Sequence, residues 1–300
     1  MTEFIQHIVN GLGLGAIYAL IALGYTMVFG ILQLINFAHS DVYMLGAFVG
    51  YYASHYFGLA QNPGIVSLSV ALAISMLSCG CIGFCIERFA YRPLRKQPRL
   101  NVLITAVGVS LFLEFGGQVL FGVDPKFFPS LYVSGEPFML GDVQINRLQL
   151  LVFVISLVLM LCLRFIIFRT KAGLAMRAVS FSHDNSTLMG ISVDRTISFT
   201  FILGSALAGA AGILVGLTYP KIDPLMGVMF GLKAFVAAVF GGIGNVMGAV
   251  VGALIMGVAE SLVIAYGASS FRDALAFGIL IVILLFKPSG LLGKTRAEKV

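Results

Sequence analysis

The stretch from Gly11 to Gly46, GLGLGAIYALIALGYTMVFGILQLINFAHSDVYMLG, constrains this chain more than any other. It opens as a membrane span built on small residues and runs uncharged to a polar knot, Asn36, His39, Ser40 and Asp41. It then turns apolar again at once. Hydrocarbon supplies no hydrogen-bond partner, so polar groups at depth must be satisfied by protein or by a water-lined path. The segment points to a chain that moves something across a membrane.

Composition leaves one class open. The 300 residues are 59% hydrophobic and 11% charged, with a mean hydropathy of +1.01. A soluble domain with these proportions could not cover its surface with polar groups. A transmembrane barrel would show short alternating segments, whereas these apolar runs are continuous. The expected fold is all-α, a polytopic integral membrane bundle of about 8–9 helices by the length a span requires. Cys79, Cys81, Cys85 and Cys162 all fall in apolar runs and read as small buried hydrophobes, not as disulfides or metal ligands. With no Trp, anchoring at the interface falls to Tyr, Lys and Arg. Met1–Asn10 carries no Lys or Arg and no cleavage site follows, so the first span is expected to be retained.

The runs give nine candidate spans: 8–31, 42–57, 65–86, 101–121, 148–168, 196–219, 225–240, 246–266 and 273–286. The second, seventh and ninth are short, and Pro63, Pro220, Pro224 and Pro288 punctuate span ends. Basic residues concentrate in three places: Arg88–Arg99, Arg164–Arg195 and the tail from Lys287. The positive-inside rule puts these in the cytoplasm, with the N-terminus outside and the C-terminus inside. That requires an odd number of crossings and favours nine. The weak member is 225–240, which holds Gly227, Gly231 and Lys233. The net charge of +6 comes from these topology-setting loops and does not describe a nucleic-acid surface.

Small residues recur at every fourth position: Gly204, Ala208, Gly212 and Gly216 in one stripe, Gly244, Gly248 and Gly252 in another, and Gly11, Gly15 and Ala19 in a third. That spacing puts them on one helix face and predicts close helix packing.

Three features carry possible chemistry. The polar knot reads either as a wet turn, with Asn36 or Asp41 capping the next helix, or as a broken helix whose Asn36, His39 and Asp41 line a path. INFAHS is a poor composition for a plain turn, which tilts the reading to the path. Glu114, Lys233 and Glu260 are isolated charges in apolar runs; Lys233 and Glu260 lie on neighbouring spans and could pair. The segment 169–195 predicts two short helices, about 173–181 and 184–190, outside the membrane. Leu174, Ala178 and Phe181 share one face, as do Leu188 and Ile191. A structured loop of this length suggests a docking element, against an amphipathic helix resting on lipid. PSGLLGKT at 288–295 fails the phosphate-loop pattern at Pro288 and follows a membrane helix, so no nucleotide site is expected. No metal cluster, catalytic residue or cofactor site stands out.

The chain resembles the permease subunits of bacterial branched-chain amino acid ABC importers, of the LivH type. The residues that carry the resemblance are GAIYALIALGYTMVFGILQLINFAH (15–39), IERFAYRPLRKQ (86–97), TKAGLAMRA (170–178) and GLKAFVAAVFGGIGNVMGAVVGALIMGVAE (231–260). Ribose- and urea-type permeases are similar in fold but match these blocks less well. The family pattern has Gly after NFAH, where this chain has Ser40; a positive φ there would strain a serine.

The resemblance implies one transmembrane unit over 1–300 in a bacterial inner membrane. It implies a second, homologous permease subunit, two cytoplasmic ATPase subunits and a periplasmic amino-acid-binding protein. ATP hydrolysis would lie on the partner chains, and the cargo would be leucine, isoleucine or valine. The loop at 169–195 would be the coupling element, with Gly173, Leu174, Arg177 and Ala178 on its first helix and Asp184, Leu188 and Gly190 on its second. Asn36, His39, Asp41, Lys233 and Glu260 stay the candidates for the substrate pathway.

Two other classes compete. A self-sufficient secondary transporter would show an inverted repeat and paired intramembrane acids, and neither is evident. An intramembrane enzyme would need a nucleophile and base at depth; His39 and Asp41, two apart on a helix, point in different directions. Within the importer class, urea, short amides and other amino acids are the alternative cargoes.

Overall fold

The computed structural model describes residues 2–95, 97–133, 135–140, 143–267 and 269–293. The chain runs α1 (Thr2–Leu32), α2 (His39–Tyr56), α3 (Ile65–Cys85), α4 (Arg99–Phe121), β1 (Lys126–Phe127), β2 (Phe138–Leu140), β3 (Val143–Ile145) and α5 (Arg147–Arg169). It continues through α6 (Lys171–Phe181), α7 (His183–Leu188), α8 (Val193–Thr218), β4 (Lys221–Ile222), α9 (Met226–Gly241), α10 (Val246–Tyr266) and α11 (Arg272–Phe286). Helix α3 passes into a π-helical turn at Ile86–Tyr91 and a 3₁₀ turn at Arg92–Leu94.

Helices occupy all nine stretches read as spans. Six of them, α1, α3 with its π and 3₁₀ continuation, α4, α5, α8 and α10, are long and apolar enough to cross a membrane. Helices α2, α9 and α11 are shorter, at 18, 16 and 15 residues.

Helices α1 and α8 form the centre and are enclosed along most of their length. Small residues make this possible. A Cβ on Gly15 would lie 2.8 Å from the Ala253 carbonyl oxygen of α10, and one on Gly46 of α2 would lie 2.6 Å from the Gly209 Cα of α8. Gly212 meets the Tyr43 carbonyl in the same way, at 2.5 Å, and Gly216 abuts the Phe128 ring. Gly248 and Gly252 pack on the backbone of α9 at Gly241 and Ala237. Gly244 differs from the expected stripe. It precedes α10, in a turn at φ +92°, because the chain must reverse between α9 and α10 there.

Two short strand pairs tie the connections at one end. β1 pairs antiparallel with β4, Lys126 opposite Ile222, and β2 pairs with β3. The expected burial of the cysteines is overturned for three of four: only Cys79 is buried, while Cys81, Cys85 and Cys162 are exposed on outer helices. An outward position on a membrane helix is as apolar as an inward one, so hydropathy does not separate them.

Candidate functional site

The polar knot lies inside the bundle, and the local backbone explains how. Helix α1 ends at Leu32, and Gln33 takes a left-handed conformation, φ +55°, with its N–H bonded to Phe29 O at 2.8 Å. This is the usual way to end a helix, with glutamine where glycine is common. The chain then folds back along α1, so that the His39 ring sits against Gly24, where any Cβ would collide with it. Eight residues separate Gly24 from Leu32, so α2 begins about 12 Å up from the end of α1. Gly204, near the middle of α8, faces Gly24 from the other side.

The knot is therefore a set of buried polar groups. Asn36 Oδ1 accepts from the Tyr91 hydroxyl at 2.8 Å. The His39 ring meets Tyr25 edge-on at 4.9 Å, and its Nε2 has no protein partner. Asp41 Oδ2 accepts from Ser110 Oγ of α4 at 2.6 Å, and Asp41 is 0% exposed. Neither Asn36 nor Asp41 caps α2: the cap position is Ala38, with no side-chain hydrogen bond. Ser40 is an ordinary helical residue, since its φ is not positive, so the serine carries no backbone strain. Its Oγ donates to Phe37 O at 2.9 Å, and Gly227 and Gly231 of α9 leave room for it.

Lys233 and Glu260 form a second constellation. Lys233 Nζ lies 2.9 Å from Glu260 Oε1 and 2.7 Å from Asp273 Oδ1. Arg272 pairs with the same Glu260 oxygen, and the Tyr18 hydroxyl donates to Oε2 at 2.8 Å. Two cations and two carboxylates thus balance across α9, α10 and α11, with Tyr18 of α1 closing the set. Tyr18, Arg272 and Asp273 were not legible as members, because Arg272 read as part of a connection and Asp273 as the first residue of the last span, where a charge has no stated partner.

A third constellation links the end of α3 to α8. Glu87, 0% exposed, accepts from Ser198 Oγ at 2.5 Å and pairs with Arg95. Arg92 and Arg95 both hold Asp194.

The segment after α5 forms two helices, as expected. Thr170 caps α6 by accepting from Gly173 N at 3.1 Å, and Gly173 lets the helix start sit on the Ile166 and Ile167 carbonyls. Ser182 caps α7. Met176 and Val179 are buried, and Arg177 lies over the Phe168 ring at 5.4 Å. Leu174, Phe181, Leu188 and Met189 are exposed, the last three by more than 80%, with Ala178 half-buried beside them. Asp184 is exposed, and Gly190 turns the chain at φ +78°. Met189 was not anticipated as part of this apolar surface.

The sequence also gave no sign of a polar cleft between the start of α1 and the β2–β3 hairpin, lined by Gln6, His7, Asn10, Gln144, Asn146 and Gln149. Gln6 clamps Gln144 from both sides, donating to its carbonyl at 2.8 Å and accepting from its N–H at 2.9 Å. No three His, Cys, Asp or Glu side chains converge as a metal site among the described residues. Lys294 and Thr295 of the tail lie outside the described residues.

Comparison with known proteins places this architecture. Residues 7–284 match the family described as branched-chain amino acid transport system / permease component. The chain is 41% identical to the high-affinity branched-chain amino acid transport system permease protein BraD of Pseudomonas aeruginosa, covering 99% of this chain and 98% of BraD. It is 39% identical to LivH of Escherichia coli K12 over the same shares. A more distant likeness, 23% identity over 94% of this chain and 69% of the relative, joins it to LivM of Salmonella typhimurium. No solved structure matches the chain. The chain therefore belongs to the family of branched-chain amino acid transport system permease components, multi-pass membrane proteins that are transport subunits and not enzymes.

Proposed function

We propose that this chain is one of two permease halves of an ABC importer that carries leucine, isoleucine and valine into the cytoplasm. The relatives that match it along nearly their whole length are named for that transport. All nine apolar helices cross in this reading, with the N-terminus in the periplasm and the 169–195 segment and C-terminus in the cytoplasm. Two ATPase subunits drive the cycle and a periplasmic protein delivers the cargo. The second permease half is a homologous chain.

The observation that carries the coupling assignment is the exposed apolar surface of Leu174, Phe181, Leu188 and Met189 on two capped helices. A solvated loop has no reason to order such side chains outward, whereas a groove on a soluble subunit would cover them. Gly173, Arg177, Ala178, Asp184 and Gly190 shape and orient this surface. Asn36, His39 and Asp41 sit where a discontinuous helix places polar groups beside a path, and Lys233 with Glu260 holds α9 and α10 in register next to it.

The test is recovery of the tagged chain from its native locus in mild detergent. Two ATPase chains and a second permease are expected to co-purify. Recovery of the chain alone, in a detergent that keeps a known importer intact, would point to a self-sufficient carrier.

A further inference from the structure

The polar cleft at the start of α1 does not end at its amides. A cavity of about 310 Å³ continues from it between α1, α5 and the end of α8, and Asn10, Asn146 and Gln149 line both spaces. The wall changes character on passing inward. On α1, Gln6, Asn10, Leu14 and Ile17 recur every three or four residues, which puts them on one helix face. On α5, Gln149 is followed one turn later by Val152. Amide gives way to hydrocarbon at the same level on both helices, because Gln149 Nε2 reaches Asn10 Oδ1 at 3.3 Å. Gly13 makes that approach possible: a Cβ there would lie 3.0 Å from the Gln149 side chain. Thr218 and Tyr219, at the end of α8, form the third wall.

The hydrogen bonds already made fix which amide atoms remain. Gln149 Nε2 is spent on Val9 O and Asn10 Oδ1, and Asn10 Oδ1 also accepts from Gln6 Nε2. Asn146 Oδ1 accepts from Leu148 N as the cap of α5. Two donors, Asn10 Nδ2 and Asn146 Nδ2, and one acceptor, Gln149 Oε1, have no partner among the described residues. Amide donors suit a carboxylate, and an amide oxygen suits an ammonium. Among the described residues no Lys or Arg lines either space, so nothing there balances a phosphate or another ligand of net negative charge. Leu14, Ile17 and Val152 give a charged ligand tail no partner, so an apolar tail is favoured. The inner volume lies at the small end of the range for ligand pockets, about 300–1,000 Å³.

We propose that this two-part cavity binds a zwitterionic amino acid with a short branched aliphatic side chain. Asn10, Asn146 and Gln149 take the head group, and Leu14, Ile17 and Val152 take the side chain. This rests on the permease reading above, in which the cavity lies at the periplasmic end. There it holds the cargo between its release from the periplasmic protein and its entry into the bundle.

The test uses the purified complex in nanodiscs, without nucleotide and without the periplasmic protein. Thr218→Cys places a thiol on the cavity wall, and its modification by a charged methanethiosulfonate reagent is followed as leucine is raised. The complex without the substitution gives the background from native cysteines. Leucine, isoleucine and valine are expected to slow modification several-fold and saturably, whereas lysine and glutamate are not. Adding Gln149→Ala should raise the leucine needed about tenfold, the effect of losing one hydrogen bond to a charged group. No protection by leucine, or equal protection by lysine and glutamate, would overturn the proposal. If Thr218→Cys yields no complex, binding of labelled leucine to the unsubstituted complex and to the Gln149→Ala complex decides: weaker binding to the latter is expected, and equal binding or none to either would overturn it. Leucine uptake with ATP and the periplasmic protein is measured in parallel. A complex that takes up no leucine removes the importer reading, whereas uptake without protection removes the cavity proposal alone.

Discussion

The ring of His183, the first residue of α7, places Nε2 3.1 Å from the carbonyl oxygen of Ile31 at the end of α1. Two residues later the backbone turns left-handed at Gln33, and five residues later Asn36 is held by Tyr91. A short chain of contacts thus runs from the exposed α6–α7 surface to the polar groups inside the bundle.

If that contact transmits movement, His183→Ala should lower cargo uptake several-fold while the complex still assembles and ATP hydrolysis continues. His183→Asn keeps a hydrogen-bonding group in place and should retain more uptake. Uptake is measured with labelled leucine and hydrolysis by phosphate release. Full uptake with alanine at this position would dismiss the contact as incidental.

Lys233 is 5% exposed and bonded to two carboxylates. Removing one partner of a buried ion pair costs about 3–5 kcal/mol. Lys233→Met should fall at the low end of that range, because Arg272 and Tyr18 stay on Glu260. The prediction is a lower melting temperature of the purified complex and weaker uptake. Combining Lys233→Met with Glu260→Gln should do less harm than the sum of the two. Strict additivity would show that the pair does not interact as the geometry indicates.

Gly24 leaves the space that the His39 ring fills. Gly24→Ala should displace the ring at an overpacking cost of about 1–3 kcal/mol. His39→Ala should make room for it, so the double variant should recover the yield of folded chain lost by Gly24→Ala alone. Equal yields for the single and double variants would mean that the return segment does not pack at this depth.

Gln33 holds a conformation that favours glycine, at a cost of about 1 kcal/mol. Gln33→Gly relieves it and should raise the melting temperature, though the greater freedom of glycine in the unfolded chain offsets part of the gain. A fall in melting temperature would show that the glutamine side chain contributes more than its backbone costs.

The helices were legible because apolar runs interrupted by Pro, Gly and charge leave few alternatives. Thus α4 and α10 fall within two residues of the stretches read for them. The unusual character of Asn36–Asp41 was legible from composition. Its depth was not, since that depends on a glycine on another helix accepting the His39 ring. The position of Lys233 and Glu260 on adjacent helices could be read from span order, but Arg272 and Asp273 could not, because charges at a span end look the same whether they face water or bend inward. The orientation of Cys81, Cys85 and Cys162 was hidden for a general reason. In a membrane the inside and the outside of a bundle are both apolar, so hydropathy reports the span and not the face.

The most direct measurement is uptake of labelled leucine by proteoliposomes holding the purified complex, with ATP enclosed or omitted and the periplasmic protein added or withheld. The account predicts accumulation that requires both, that isoleucine and valine compete away, and that is lost when this chain is left out. Leucine accumulation that needs no ATP and no second protein, or transport of urea but not leucine, would contradict it.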